Sequence, residues 1–122
     1  MWVCLNSGFI SIVHKDCKSD ELMVRARRKG DIEKVFPGVI GKKTQGTDDA
    51  FRAVVSREAV AQMLTDQVFN MDYSNFKNSV WDNALHSVYS SVWSIIGRLQ
   101  DGGPYGNTRT NKRQSTFFDY DS

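Results

Sequence analysis

Between Leu22 and Arg28 apolar and basic side chains alternate, and no other stretch of the chain limits the fold as strongly. Successive side chains of an extended strand point to opposite faces, so Leu22, Val24 and Ala26 fall on one side and Met23, Arg25 and Arg27 on the other. Phe51 to Val55 repeats the pattern, with Phe51, Ala53 and Val55 on one face and Arg52 on the other. Trp2 to Leu5 and Phe9 to His14 are rich in β-branched and aromatic residues, and Asn6-Ser7-Gly8 between them is a turn signal, so a hairpin is expected. Gly30 breaks the third strand. Asp31 is placed to cap a short helical turn over 32–36, which Pro37-Gly38 stops. Residues 41–49 carry no large apolar side chain and read as an exposed loop.

The second half of the chain reads as helix. Ser56 is a candidate N-cap for a helix running to about Asn70, with Val60, Met63, Leu64 and Val68 at helical spacing. A longer helix is expected from Asn75 to Leu99, capped by Asp72 or Ser74. Along it Phe76, Val80, Ala84, Val88, Val92, Ile95 and Leu99 step by three or four, and Trp81, Leu85, Tyr89, Trp93 and Ile96 widen the stripe. A helix of that span is ~37 Å long, with a kink expected near Asp82-Asn83 or Ser90-Ser91. So broad an apolar face implies central packing, with a dimer seam as the alternative for the second stripe.

Strands first and helices last define an α+β fold: a small antiparallel β-sheet with two C-terminal helices packed on one face. The expected organisation is a single domain over residues 1–100. A flexible tail over 101–122 follows, Gly-rich and then basic and aromatic, ending in Phe117, Phe118 and Tyr120. With 122 residues, 40 % hydrophobic and 25 % charged, the chain fits one globular domain and excludes a collagen-like fibre or wholesale disorder. It has no run of ~18 apolar residues and opens without a basic, long-apolar leader, so a cytoplasmic protein and no membrane partner are expected.

Constellations for catalysis are weak. Cys4 and Cys17 read as free thiols, and with only His14 nearby they do not make a zinc site. A Cys/His nucleophile pair built from Cys4 or Cys17 with His14 is outweighed by ordinary structural roles, as is the lone helical His86. Asp48-Asp49 lacks the ligand spacing of a cation site and reads as solvated loop. Gly38 to Thr44 ends like a phosphate-binding loop, but with the wrong spacing and no following helix. No enzyme activity, metal or cofactor is expected.

Charge is more informative. Residues 1–47 hold nine Lys and Arg against five acidic residues, whereas residues 48–100 hold four against six. Arg25, Arg27 and Arg52 should share the sheet face turned away from the helices, with Arg28, Lys29 and Lys34 just after. Guanidiniums two apart on a strand lie ~6.5–7 Å apart and project together, which suits phosphates or an acidic protein surface. The competing reading is a solvated face, with Arg25 or Arg27 paired to Glu21, Asp31 or Glu33. The outward strand positions offer Met23 and Val54 rather than aromatics, which argues against single-stranded RNA. Trp81, Tyr89 and Trp93 are assigned to the core.

Leu22-Met23-Val24-Arg25-Ala26-Arg27-Arg28-Lys29-Gly30-Asp31-Ile32-Glu33-Lys34-Val35-Phe36-Pro37 resembles a segment of a family of small uncharacterised proteins from bacteria, phages and mobile elements. Arg52 to Val60, Tyr73-Ser74-Asn75-Phe76-Lys77, and Tyr89 with Val92-Trp93 resemble its later parts, so the likeness covers residues 1–100. The resemblance carries over no catalytic residues. It implies an accessory-gene setting, and with it a small phage or prophage inhibitor of host defence, such as an anti-CRISPR. The expected function is therefore non-enzymatic binding of an acidic protein surface or a nucleic-acid-processing complex of the host. Direct nucleic-acid binding by the basic face is the alternative, and a homodimer is a further partner to consider.

Overall fold

The alternating segment becomes the central strand of a five-stranded antiparallel sheet in a computed structural model that describes residues 1–46 and 48–100. The strands are β1 (Trp2–Cys4), β2 (Phe9–Val13), β3 (Glu21–Ala26), β4 (Lys42–Lys43) and β5 (Phe51–Ser56), in spatial order β1-β2-β3-β5-β4. The β1–β2 hairpin closes where the Leu5 amide donates to the Gly8 carbonyl at 2.9 Å. Gly8 is required there for space: a Cβ would come within 2.8 Å of the Asp31 carboxyl carbon.

Lys42–Lys43 was expected to be loop, and the structure corrects this to an edge strand, with Lys42 opposite Arg52 and Lys43 opposite Phe51. Two exposed lysines give no hydrophobic periodicity, and lysine on an edge discourages further strand pairing. The expected helical turn over 32–36 is a run of hydrogen-bonded turns, with the Phe36 amide donating to the Ile32 carbonyl at 3.0 Å.

One sheet face is apolar. Ile10, Ile12, Val24, Ala26 and Val55 are buried there, together with Leu5, Ile32 and Phe36. The helix α1 (Arg57–Phe69) covers this face, packing against β3 and β5 and inserting Val60 and Met63 into the core. Its N-cap is Ser56, as the sequence indicates: the hydroxyl accepts from the Ala59 amide at 3.1 Å. Val68, expected on the buried stripe, is exposed, because the core contacts of α1 end near Leu64.

The described residues divide between two compact units that part between Trp81 and Asp82. The second unit contains α2 (Asn83–Ile96), followed by a 3-10 turn over Gly97–Leu99. The helix expected from Asn75 to Leu99 is thus shorter. Lys77–Ser79 form a separate 3-10 turn, Val80 is extended, and Asp82 rather than Asp72 or Ser74 caps α2, accepting from the Leu85 amide at 3.0 Å. The expected core assignment of the aromatics holds only for Tyr89: Trp81 is 92 % exposed and Trp93 is exposed as well. The expected tail, residues 101–122, lies outside the described residues.

Candidate functional site

The face of the sheet opposite α1 is built by register. Ser11 lies opposite Arg25, Arg25 opposite Arg52, and Arg52 opposite Lys42, so one line across β2, β3, β5 and β4 carries three cations. Like charges directly opposite each other on neighbouring strands repel. An acid from the β4–β5 loop offsets part of that cost. Asp49 Oδ2 sits 3.3 Å from Arg25 Nε, and its Oδ1 sits 3.3 Å from Arg27 Nε. Thr44 holds this loop, donating its hydroxyl to the Asp49 carbonyl at 3.0 Å and its amide to the Ala50 carbonyl at 2.7 Å.

Asp49 was expected to be solvated loop, and its side chain is instead only 14 % exposed. The internal partner of Arg25 and Arg27 is therefore Asp49 rather than Glu21, Asp31 or Glu33. A contact between residues more than twenty positions apart leaves no local pattern to find.

The three arginines do not stand in equal surroundings. Arg27 is largely exposed. Arg25 also donates from Nη2 to the Ser11 hydroxyl at 3.3 Å, while its buried Nε lies at ion-pair distance from Asp49 without hydrogen-bond alignment. Arg52 Nε is buried with no hydrogen-bond partner, and among the described residues Arg52 has no carboxylate within ion-pair distance. An unsatisfied buried N–H on a permanently charged group is a site where an anion gains a charge-assisted hydrogen bond.

These groups line an open cavity of about 540 Å³, into which Trp2 and Phe9 also project. Trp2 is opposite Ser11 in the register, is 80 % exposed, and meets Phe9 edge-on with ring centroids 6.2 Å apart. The face therefore does carry aromatics beside its arginines. That corrects the expectation drawn from Met23 and Val54 alone, because β1 and β2 contribute the rings and their pairing with β3 is not written in β3.

The other expected cations separate from this group. Arg28 Nε donates to Asp31 Oδ2 at 3.1 Å, and Lys34 Nζ donates to Asp31 Oδ1 at 3.3 Å and to the Ser7 carbonyl at 3.1 Å. Asp31 itself is 3 % exposed, under Gly8. Arg28 and Lys34 thus tie the β1–β2 turn to the 28–36 turns, which is a structural role. Asp31 serves this network rather than capping a helical turn. Lys29 is exposed and makes no ion pair among the described residues.

The Cys17 thiol and the His14 imidazole engage backbone instead of each other. Cys17 Sγ donates to the Glu21 carbonyl at 3.4 Å, and His14 Nε2 lies 3.3 Å from the Lys18 carbonyl. Partial burial pushes the Cys4 thiol above its ordinary pKa, although the residue as a whole is exposed. No helix among the described residues is long and apolar enough to cross a membrane. Comparison with protein-family models, curated proteins and solved structures gives no match.

Proposed function

We propose that the chain is a non-enzymatic binding protein that uses the sheet face opposite α1, centred on Arg25, Arg27 and Arg52, to hold an acidic protein partner. The observation that carries this reading is Arg52, a buried guanidinium nitrogen without a partner between Arg25 and Lys42. A partner carboxylate on Arg52 completes a charge-assisted hydrogen bond, and the neighbouring cations steer its approach. The sharpest version is a phage or prophage inhibitor of a host defence complex, anti-CRISPR-like and acting in the cytoplasm by protein contact. That version rests on the resemblance of residues 22–37 to accessory-gene proteins.

A second reading, nucleic-acid binding, has its own support. Trp2 and Phe9 beside the arginine row supply stacking surfaces for bases, with the guanidiniums at hand for phosphates. Fluorescence anisotropy separates the two, using a labelled poly-glutamate peptide, a single-stranded DNA and a single-stranded RNA. Acidic-peptide binding that drops at least tenfold in the R25E/R27E/R52E variant, with Trp2→Ala nearly silent, supports the protein-partner reading. Oligonucleotide binding that falls steeply with salt and is lost in Trp2→Ala supports the second. Equal affinity of wild type and the triple variant for all three probes overturns both.

A further inference from the structure

α2 presents a surface of the opposite kind. From Asn83 to Ile96 it contains no Asp, Glu, Lys or Arg, and its apolar side chains gather on one half of the helix. The other half is Asn83, His86, Ser87, Ser90, Ser91 and Ser94. Only Leu85 and Tyr89 of the apolar half are buried. Val88, Val92, Ile95 and Leu99, with Trp93 and Ile96 beside them, are between 37 % and 61 % exposed.

We infer that this stripe pairs with the same stripe of a second copy of the chain. Val88, Val92 and Ile95 on α2 and Leu99 on the 3-10 turn that prolongs it are separated by four, three and four residues, close to the spacing of a seam that packs against another helix. The set is its own complement. Under a two-fold axis between antiparallel helices, Val88 meets Leu99 and Val92 meets Ile95, as an isologous interface requires. Nothing repels in that pairing, because no like charges are brought together, and the opposed helix dipoles favour it.

A charged partner finds no counter-charge on α2. A membrane surface is also a poor match, since interfacial helices use Lys and Arg on the polar face and here that face is serine, asparagine and histidine. The part-exposed side chains of one such stripe offer less than the ~800 Å² per partner of a standard interface, which places the dimer at the weak, reversible end.

Sedimentation equilibrium of the full chain from roughly 1 to roughly 200 µM reads this directly, since that range brackets weak association. The expected result is a mass that climbs from 13.9 kDa toward twice that value with concentration. The double variant Val92→Glu with Ile95→Glu should weaken association at least tenfold. Ser87→Glu, on the opposite half, should leave it within about twofold, with circular dichroism confirming that both variants keep their helices. A second arm replaces Cys4 and Cys17 by Ser and introduces Val92→Cys with Ile95→Cys, which should oxidise to a covalent dimer. A full chain that stays monomeric throughout overturns the inference. So does association that survives the Val92/Ile95 variant but not Ser87→Glu. A wild-type monomer that becomes a dimer once Phe117, Phe118 and Tyr120 are changed to Ser overturns it too, because the chain's own C-terminal segment then occupies the stripe.

Discussion

The sheet face opposite α1 and the exposed half of α2 solve the problem of an uncovered surface in opposite ways. The sheet face concentrates charge and then answers part of it from within the chain: Asp49 lies against Arg25 and Arg27, with Arg52 left over. α2 removes charge altogether and leaves apolar side chains in water. In the proposed role, selectivity on the first surface comes from guanidiniums whose hydrogen bonding is incomplete, Arg52 above all, so it depends on the charge and shape of a partner. In the proposed pairing of α2 it comes from spacing alone, which makes an identical helix the complement. The first should weaken with salt and the second should not.

The contrast depends on sorting the cations correctly, and Asp31 gives the largest effect with which to break it. Arg28 and Lys34 are assigned to structure because both contact a carboxylate that is 3 % exposed. Asp31→Ala removes a buried acid from two cations and a turn, at an expected cost of about 3 kcal/mol. Urea unfolding should show a lower midpoint with an unchanged slope, while affinity for an acidic probe stays within about twofold under native conditions. Loss of binding with full stability would move Arg28 and Lys34 into the binding face and undo the distinction.

Arg52→Ala should come next. Removing this guanidinium, which no carboxylate among the described residues answers, should weaken an anionic probe about tenfold, near 1.4 kcal/mol, and flatten the dependence on salt. The fold should tolerate the change, because its buried Nε makes no hydrogen bond that would be lost. Asp49→Asn sharpens the same point with the opposite sign. It frees two guanidiniums from their internal carboxylate, so affinity for an acidic probe should rise severalfold. Titration calorimetry on both variants would show whether Asp49 competes with the partner. A fall in affinity with Asp49→Asn would mean that the carboxylate instead holds the arginines in their binding arrangement.

How much of this was readable in the sequence follows from how local each signal is. β3, β5 and α1 announce themselves through alternation, helical spacing and a serine cap, and the structure places them within a residue or two. β4 was hidden, because an edge strand of two lysines is defined by its backbone pairing to Arg52 and Phe51 rather than by its side chains. The arginine row was legible from β3 and β5. Its aromatic flank was not, since placing Trp2 beside Arg25 needs two successive register relations, Trp2 with Ser11 and Ser11 with Arg25. Asp49 was misjudged for the same reason. On α2 the apolar stripe was plain, but apolar periodicity does not say whether a stripe is covered. Only Leu85 and Tyr89 are buried.

Cys4 offers the smallest effect, and it probes the sheet face at the β1 edge. It lies opposite Phe9, and partial burial raises its thiol pKa. A thiol that ionises later in the folded chain than in the unfolded one favours the fold fully below the unfolded pKa, and that contribution is lost as pH rises through the folded one. The thiolate is the reactive form, so alkylation of Cys4 by iodoacetamide should lag behind that of a free cysteine near pH 7.5 and converge with it only in more alkaline solution. The lag should disappear in urea. Cysteine alkylation followed by mass spectrometry, peptide by peptide, separates Cys4 from Cys17. An early, fast reaction at Cys4 would mean that β1 leaves the sheet readily. Trp2, two residues away on the same short strand, would then be mobile as well, and a stacking role for the aromatic side of the basic face would lose its rigid platform.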